Sequence, residues 1–226
     1  MLDEAAYQAK RYGIRENLLK YTRQAYAMIP VTDEPRILDI GCGSGIPTLE
    51  LARLSGGTVT GIDIDEEGLA SLRQRAEESG LSGRVEALKY DIKDMNFAKE
   101  SFDIIWAEGS IFAVGFEKGL HEWQRFLKPG GFMVVHDEQG NVEDKEKIIK
   151  SNGYELLGRI ILDKTTWRRE YFSPIEKLVN EASDGGTTSA EVMELAQNDK
   201  RDIETFRKNP DGNSSVIFVM KYRGLS

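Results

Sequence analysis

Of its 226 residues the chain has one cysteine, Cys42, two histidines, and fewer bases than acids. The 30 Lys and Arg against 38 Asp and Glu give a formal charge of −8 and a pI near 5.0. One cysteine excludes internal disulfides and thiolate-rich metal or iron–sulfur sites, and it fits a reducing compartment, so the expected location is cytoplasmic. Two histidines and scattered acids show no metal-ligand spacing, so no metal site is expected, although Asp137 and Glu138 alone do not exclude a divalent ion. The acidic balance works against a broad nucleic-acid surface, which needs clustered Lys and Arg. No stretch approaches the roughly 20 apolar residues of a membrane span, and the N-terminus lacks the apolar core of a signal peptide.

What is present is an alternation. Strand-like segments at 36–41, 58–63, 85–90, 102–107 and 131–136 are separated by helical patterns at 46–55, 65–80, 116–128 and 143–151, with Lys128-Pro129-Gly130-Gly131 as a turn before the fifth strand. Two further strands follow, Tyr154–Leu162 and Ser215–Tyr222. Alternating units of this kind predict an α/β fold with a doubly wound, largely parallel sheet. The length suits one domain in four parts. Residues 1–30 form a helical cover carrying Tyr7, Tyr12, Tyr21 and Tyr26, 31–166 the core, 167–213 a helical insertion, and 214–226 the last strand. The insertion is interrupted by Ser183-Asp184-Gly185-Gly186, and an insertion of that length is commonly functional or disordered.

The densest signal is Ile37–Ile46, ILDIGCGSGI. Ile37, Leu38 and Ile40 read as a buried parallel strand, Gly41, Gly43 and Gly45 as the turn after it, and the residues from Pro47 onward as a helix. Glycines at alternate positions let a ligand approach the backbone where a Cβ would collide. Asp39 sits near the strand's end, where a carboxylate can meet an ammonium. Twenty-two residues after Gly41 a second strand ends in Asp63, placed to bind both hydroxyls of a ribose. This pairing fits nicotinamide dinucleotides and S-adenosylmethionine. A dinucleotide site reads G-x-G-x-x-G, whereas here the third glycine comes one residue early and Ile46 stands where it is needed.

The sequence DIGCGSG resembles motif I of the class I S-adenosylmethionine-dependent methyltransferases. The run from Phe102 to Asp137 is similar to the matching stretch of small-molecule methyltransferases of the ubiquinone/menaquinone-biosynthesis type, and the resemblance covers about residues 20–165. It implies a Rossmann-like, doubly wound seven-stranded sheet, mostly parallel with an antiparallel last strand and helices on both faces. It also implies S-adenosylmethionine as cofactor, S-adenosylhomocysteine as product and a small-molecule acceptor. The glycine turn, with Cys42 as a small packing residue inside it, and Asp39 take the methionine part, and Asp63 takes the ribose. Asp91 accepts the adenine amino group between Ile64 and Ile92, and Tyr21 and Thr22 reach the methionine carboxylate. A homodimer is compatible with the sequence.

Ligands gather at the carboxyl ends of parallel strands, which makes Glu108, beside the expected sulfonium, a candidate for cofactor contact and catalysis. His136, ending the fifth strand, is a candidate general base because an unperturbed imidazole titrates near neutrality. His121 falls on a solvated helix face. Phe112, Trp167, Tyr171 and Phe172 are candidates to line the acceptor pocket, since ring faces attract cations. Two other classes stay open: a nicotinamide-dependent oxidoreductase, and a non-catalytic module that binds S-adenosylmethionine.

Overall fold

The computed structural model describes residues 2–30, 33–184 and 189–224. The chain divides into two compact units. Tyr21–Ile161 with Val216–Ser226 form a sheet unit, and Met1–Lys20 with Leu162–Ser215 form a helical unit.

The sheet unit is built on seven strands: β1 (Arg36–Ile40), β2 (Thr58–Asp63), β3 (Val85–Lys89), β4 (Phe102–Glu108), β5 (Leu127–Glu138), β6 (Tyr154–Leu162) and β7 (Ser215–Tyr222). Their order is β3-β2-β1-β4-β5-β7-β6, with β7 antiparallel, which is the topology expected from the sequence. Ile37, Leu38 and Ile40 are fully buried because β1 lies between β2 and β4, as the near-continuous apolar run of a central parallel strand demands. Chain order reverses between β1 and β4, so the crevice at their carboxyl ends is the topological switch point.

Register sorts the residues onto two faces. Asp39 pairs with Gly61 and with Trp106, and Glu108 pairs with His136. Alternation then sets Asp39, Asp63, Trp106, Glu108 and His136 on one face. Leu38, Ile40, Ile62, Ile105, Ala107, Met133 and Val135 lie on the other, in a core with Leu120 and Trp123 of α5 (Phe116–Trp123) and Ile149 of α6 (Val142–Ser151). The first face carries α3 (Ile46–Ser55) and α4 (Glu66–Glu78), whose Leu72 lies against Gly61.

The expected helix 116–128 and the Lys128-Pro129-Gly130-Gly131 turn are both revised. Helix α5 stops at Trp123, a short turn covers Gln124–Phe126, and β5 already begins at Leu127, paired with Phe102. Two steps along β4 then match five along β5 before Ile104 meets Phe132. Pro129 and Gly130 therefore sit in a bulge within the strand, with Gly130 at φ +75° and Lys128 reaching back to Asp103 at 2.8 Å.

The helical unit contains α1 (Glu4–Glu16), α7 (Lys164–Trp167), a π turn (Arg168–Phe172), α8 (Ser173–Asp184) and α9 (Ala190–Lys208); α2 (Leu19–Ala27) runs from its boundary into the sheet unit. Its core joins Tyr7 to Tyr171, Ile175, Leu178, Val192 and Ile203. The Tyr7 hydroxyl donates to Asp199 Oδ2 and Arg11 Nε to Asp199 Oδ1, both at 2.9 Å. Asp199 is 1% exposed, so this network ties the N-terminal helix to α9 through a buried acid that carries its own counter-charge. Of the expected break at 183–186, Ser183 and Asp184 end α8, and Gly185 and Gly186 lie outside the described residues.

Candidate active site

The turn after β1 is tied to β2, since the N–H groups of Gly41 and Cys42 both donate to Ile62 O, at 2.8 and 3.0 Å. Gly41 and Gly43 have φ of +76° and +51°, left-handed conformations that glycine adopts without strain. They serve different purposes. A Cβ on Gly41 would stand 2.3 Å from Ser110 Cβ, whereas one on Gly43 would meet nothing within 4 Å. The glycine on the open side is thus Gly43. Gly41 is glycine because Ser110, which donates to Ile40 O, packs against it, and this corrects the expectation that Gly41 makes room for the ligand. Gly45 gives way in the same manner to Leu72. Cys42 is buried and pairs with no other cysteine, and burial pushes its thiol well up, so it is a packing residue.

Asp63 is oriented by two backbone donors: Gly43 N–H bonds Oδ2 at 2.8 Å and Asp65 N–H bonds Oδ1 at 2.9 Å. Each carboxylate oxygen keeps a further lone pair, so the group presents two acceptors in fixed positions, as a ribose diol requires. Asp39 is buried, accepts from Thr48 Oγ1 at 2.6 Å, and is pushed up to about 7 by that burial, with the Thr48 bond opposing and the charges of Glu108 and Asp63 adding to the rise. Glu108 Oε1 accepts from the Trp106 indole at 2.7 Å and from Thr22 Oγ1 at 2.9 Å; burial raises this carboxyl too. Its neighbour His136 is lowered to about 4 by burial, with Asp137 opposing. The imidazole is therefore neutral at physiological pH and a weaker base than an unperturbed histidine, which revises the expectation of near-neutral titration.

The remaining candidates divide between the units. Tyr90 N–H donates to Asp63 O, which brings the ends of β2 and β3 together with Ile64, Asp91 and Ile92. Asp91 is exposed and caps its own turn by accepting from Lys93 N–H, Ile92 packs against the core, and Ile64 is 66% exposed. Phe112 is 68% exposed beyond β4, and His121 is on the exposed side of α5. Tyr21 is partly buried on α2. Thr22, buried beside it, gives its only proton to Glu108 and so has none left for a ligand carboxylate, against the expectation. Trp167, Tyr171 and Phe172 pack on one another in the helical unit, where Phe172 stacks on Phe206 at 4.0 Å, Tyr171 is buried, and the Trp167 indole donates to Ser215 Oγ. There they form a core cluster. Among the described residues no three of His, Cys, Asp and Glu are placed to hold one metal ion, and no helix is long and apolar enough to cross a membrane.

The methyltransferase-domain family matches residues 37–131, the span from β1 to the bulge of β5. Over those residues the chain is similar to methyltransferase domains. Over 128 residues it is 34% identical to methyltransferase GfsG of Streptomyces halstedii, a match covering 55% of this chain and 46% of that protein. The chain spans about half or less of the length of the first curated relatives it matches. Among solved structures, an S-adenosylmethionine-dependent methyltransferase from Thiobacillus denitrificans, in complex with S-adenosylhomocysteine, superposes with a TM-score of 0.68 at 18% identity, over 92% of this chain and 91% of that one. The [4+2]-cyclase SpnF gives 0.73 at 22% identity, over 90% and 80%. These likenesses show the fold.

The site includes contacts that, but for one, no local sequence pattern announces. Thr48 holds Asp39, Ser110 fills the space beside Gly41, and Trp106 holds Glu108. Only Trp106 had a legible signal, since it stands two residues before Glu108 on a strand and so shares its face.

Proposed function

We propose that this protein transfers the methyl group of S-adenosylmethionine to a nucleophilic atom of a small-molecule acceptor. The observation that carries the reading is the Gly43–Asp63 hydrogen bond beside Asp39 and Glu108 at the switch point, where an open glycine, an oriented diol acceptor and desolvated carboxylates face a ligand bearing a ribose and positive charge. Asp63 takes the ribose hydroxyls, Asp39 the ammonium, and Asp91 with Ile64 and Ile92 the adenine. The cofactor supplies a methyl carbon on a positively charged sulfur, and the electron pair of the broken C–S bond neutralises that sulfur. The protein's part is positioning, because holding acceptor and methyl in line makes a bimolecular step effectively unimolecular. His136, neutral beside Glu108, accepts a hydrogen bond from an acceptor O–H or N–H and orients its lone pair; the proton leaves to solvent as the new bond forms. Phe112 forms an apolar wall. The protein works in the cytoplasm.

The test is isothermal calorimetry with S-adenosylmethionine, S-adenosylhomocysteine, NADH and NADPH. Micromolar binding of the first pair alone is expected; binding of NADH alone overturns the reading in favour of an oxidoreductase. Because a [4+2]-cyclase shares the fold, turnover to S-adenosylhomocysteine across an acceptor panel separates methyl transfer from cofactor binding without transfer.

A further inference from the structure

We propose that Glu108, held in place by Thr22 and Trp106, is the carboxylate that reads the cofactor's positive charge, so that the site discriminates S-adenosylmethionine from its product by charge. This inference deepens the methyltransferase reading and rests on it.

Both donors bind the same oxygen. Trp106 Nε1 at 2.7 Å and Thr22 Oγ1 at 2.9 Å converge on Oε1, and Oε2 accepts no hydrogen bond among the described residues. Neither donor is free to wander: Trp106 is fully buried in β4 and Thr22 is 1% exposed on α2. The next residue of α2 is anchored in turn, since Arg23 Nε bonds Glu50 of α3 at 2.6 Å, and Glu50 is itself buried. One carboxylate oxygen is thereby fixed from two elements while the other is left for a ligand, at the carboxyl end of β4 and on the face of Asp39.

The charge count points the same way. None of Asp39, Asp63 and Glu108 forms an ion pair with a Lys or Arg among the described residues, although most acids elsewhere in the fold that approach burial do, as Glu50, Asp137 and Asp199 show. Partly desolvated carboxylates without a cation of their own favour a ligand that brings one. Methyl transfer removes one positive charge, that on sulfur, and leaves the ribose, adenine and ammonium contacts unchanged. A carboxylate near the sulfur is therefore the group whose contribution differs between cofactor and product, and the low local dielectric strengthens that difference. Thr22 and Trp106 are positioning residues, acting through Glu108.

The experiment is isothermal calorimetry of the full-length protein with S-adenosylmethionine, S-adenosylhomocysteine and sinefungin, which carries a protonated amine in place of the sulfonium. Glu108→Gln keeps the size and the Oε1 acceptor but removes the charge. It is expected to shift the affinity ratio of S-adenosylmethionine to S-adenosylhomocysteine by roughly tenfold against the former. Sinefungin should follow S-adenosylmethionine, and S-adenosylhomocysteine should change by less than about twofold. Thr22→Val should shift the ratio in the same direction by a smaller factor, and Thr22→Ser, which restores the hydroxyl, should return it to the wild-type value. An unchanged ratio in Glu108→Gln, or equal loss of all three ligands by a folded variant, overturns the proposal. If Glu108→Gln does not fold, equal ratios in Thr22→Val and Thr22→Ser overturn it. If wild type binds none of the ligands, the methyltransferase reading fails and this proposal falls with it.

Discussion

The backbone N–H of Gly43 donates to Asp63 Oδ2 at 2.8 Å, joining the turn after β1 to the end of β2 across twenty residues of sequence. The acid proposed to address the ribose is thus also the acid that holds the glycine turn in shape, and the two halves of the motif are one structural object.

Asp63→Ala should therefore cost more than ribose contacts alone. It also leaves the N–H groups of Gly43 and Asp65 without their partner, each bond to a charged acceptor being worth about 1.5 to 3 kcal/mol. The expected result is a loss of S-adenosylmethionine affinity of about 100-fold or more by calorimetry, with Asp63→Asn intermediate because it keeps one carbonyl acceptor. Unchanged affinity in Asp63→Ala would place the ribose elsewhere.

Gly41→Ala should reduce stability through Ser110 and not through the ligand. The added Cβ meets Ser110 Cβ at 2.3 Å on a backbone with φ of +76°, a combined cost of about 2 to 4 kcal/mol. Adding Ser110→Gly should recover the steric part and leave the backbone strain. Thermal denaturation of the single and double variants measures both, and a double variant no more stable than Gly41→Ala would exclude the contact as the cause.

Stability should vary with pH through two buried groups of opposite effect. Asp39 is pushed up to about 7 by burial, so between pH about 4 and 7 the folded protein keeps a proton that the unfolded chain has lost, and stability falls as pH rises through that window. His136 is lowered to about 4 by burial, so between about 6.5 and 4 the unfolded chain holds the extra proton and stability falls as pH drops. Asp39→Asn should raise stability at pH 8 by up to about 4 kcal/mol and reduce the first slope, to which Glu108, also raised by burial, contributes in the same direction. His136→Gln should flatten the second. Urea unfolding from pH 4 to 8 reads both, and slopes unaltered by either substitution would contradict the assignment.

Asp199→Ala should loosen the helical unit, since it strands the Tyr7 hydroxyl and the Arg11 guanidinium that converge on one buried carboxylate. A cost of about 2 to 4 kcal/mol is expected, with Tyr7→Phe near 1 because Arg11 keeps its partner. Amide exchange should accelerate in α1 and α9 while β1 stays protected. Equal acceleration in β1 would mean that the network supports the whole fold.

How far the site could be read before the fold was known depended on whether a residue's partner lies near it in sequence. The run from Ile37 to Ile46 and the acid at Asp63 are local patterns: a buried strand, a glycine turn, a helix and a second strand end, each dictated by side-chain periodicity and backbone sterics within a few residues. The order of strands follows from the same alternation, because parallel strands need crossovers. The bulge at Pro129 and Gly130 looks in sequence like a plain turn because proline and glycine mark a break in either case, and only the pairing of Leu127 with Phe102 distinguishes them.

The sequence by itself determined the class of fold and the position of the switch point, since these depend on local geometry and on one repeated pattern. The tertiary structure alone decided that Gly41 yields to Ser110 while Gly43 faces the open side, that Thr22 and Trp106 hold Glu108, and that Trp167, Tyr171 and Phe172 pack on each other. It alone decided also that burial moves Asp39 up and His136 down. Those outcomes depend on contacts between residues far apart in the chain and on how much water each group loses, quantities that no local pattern of residues carries.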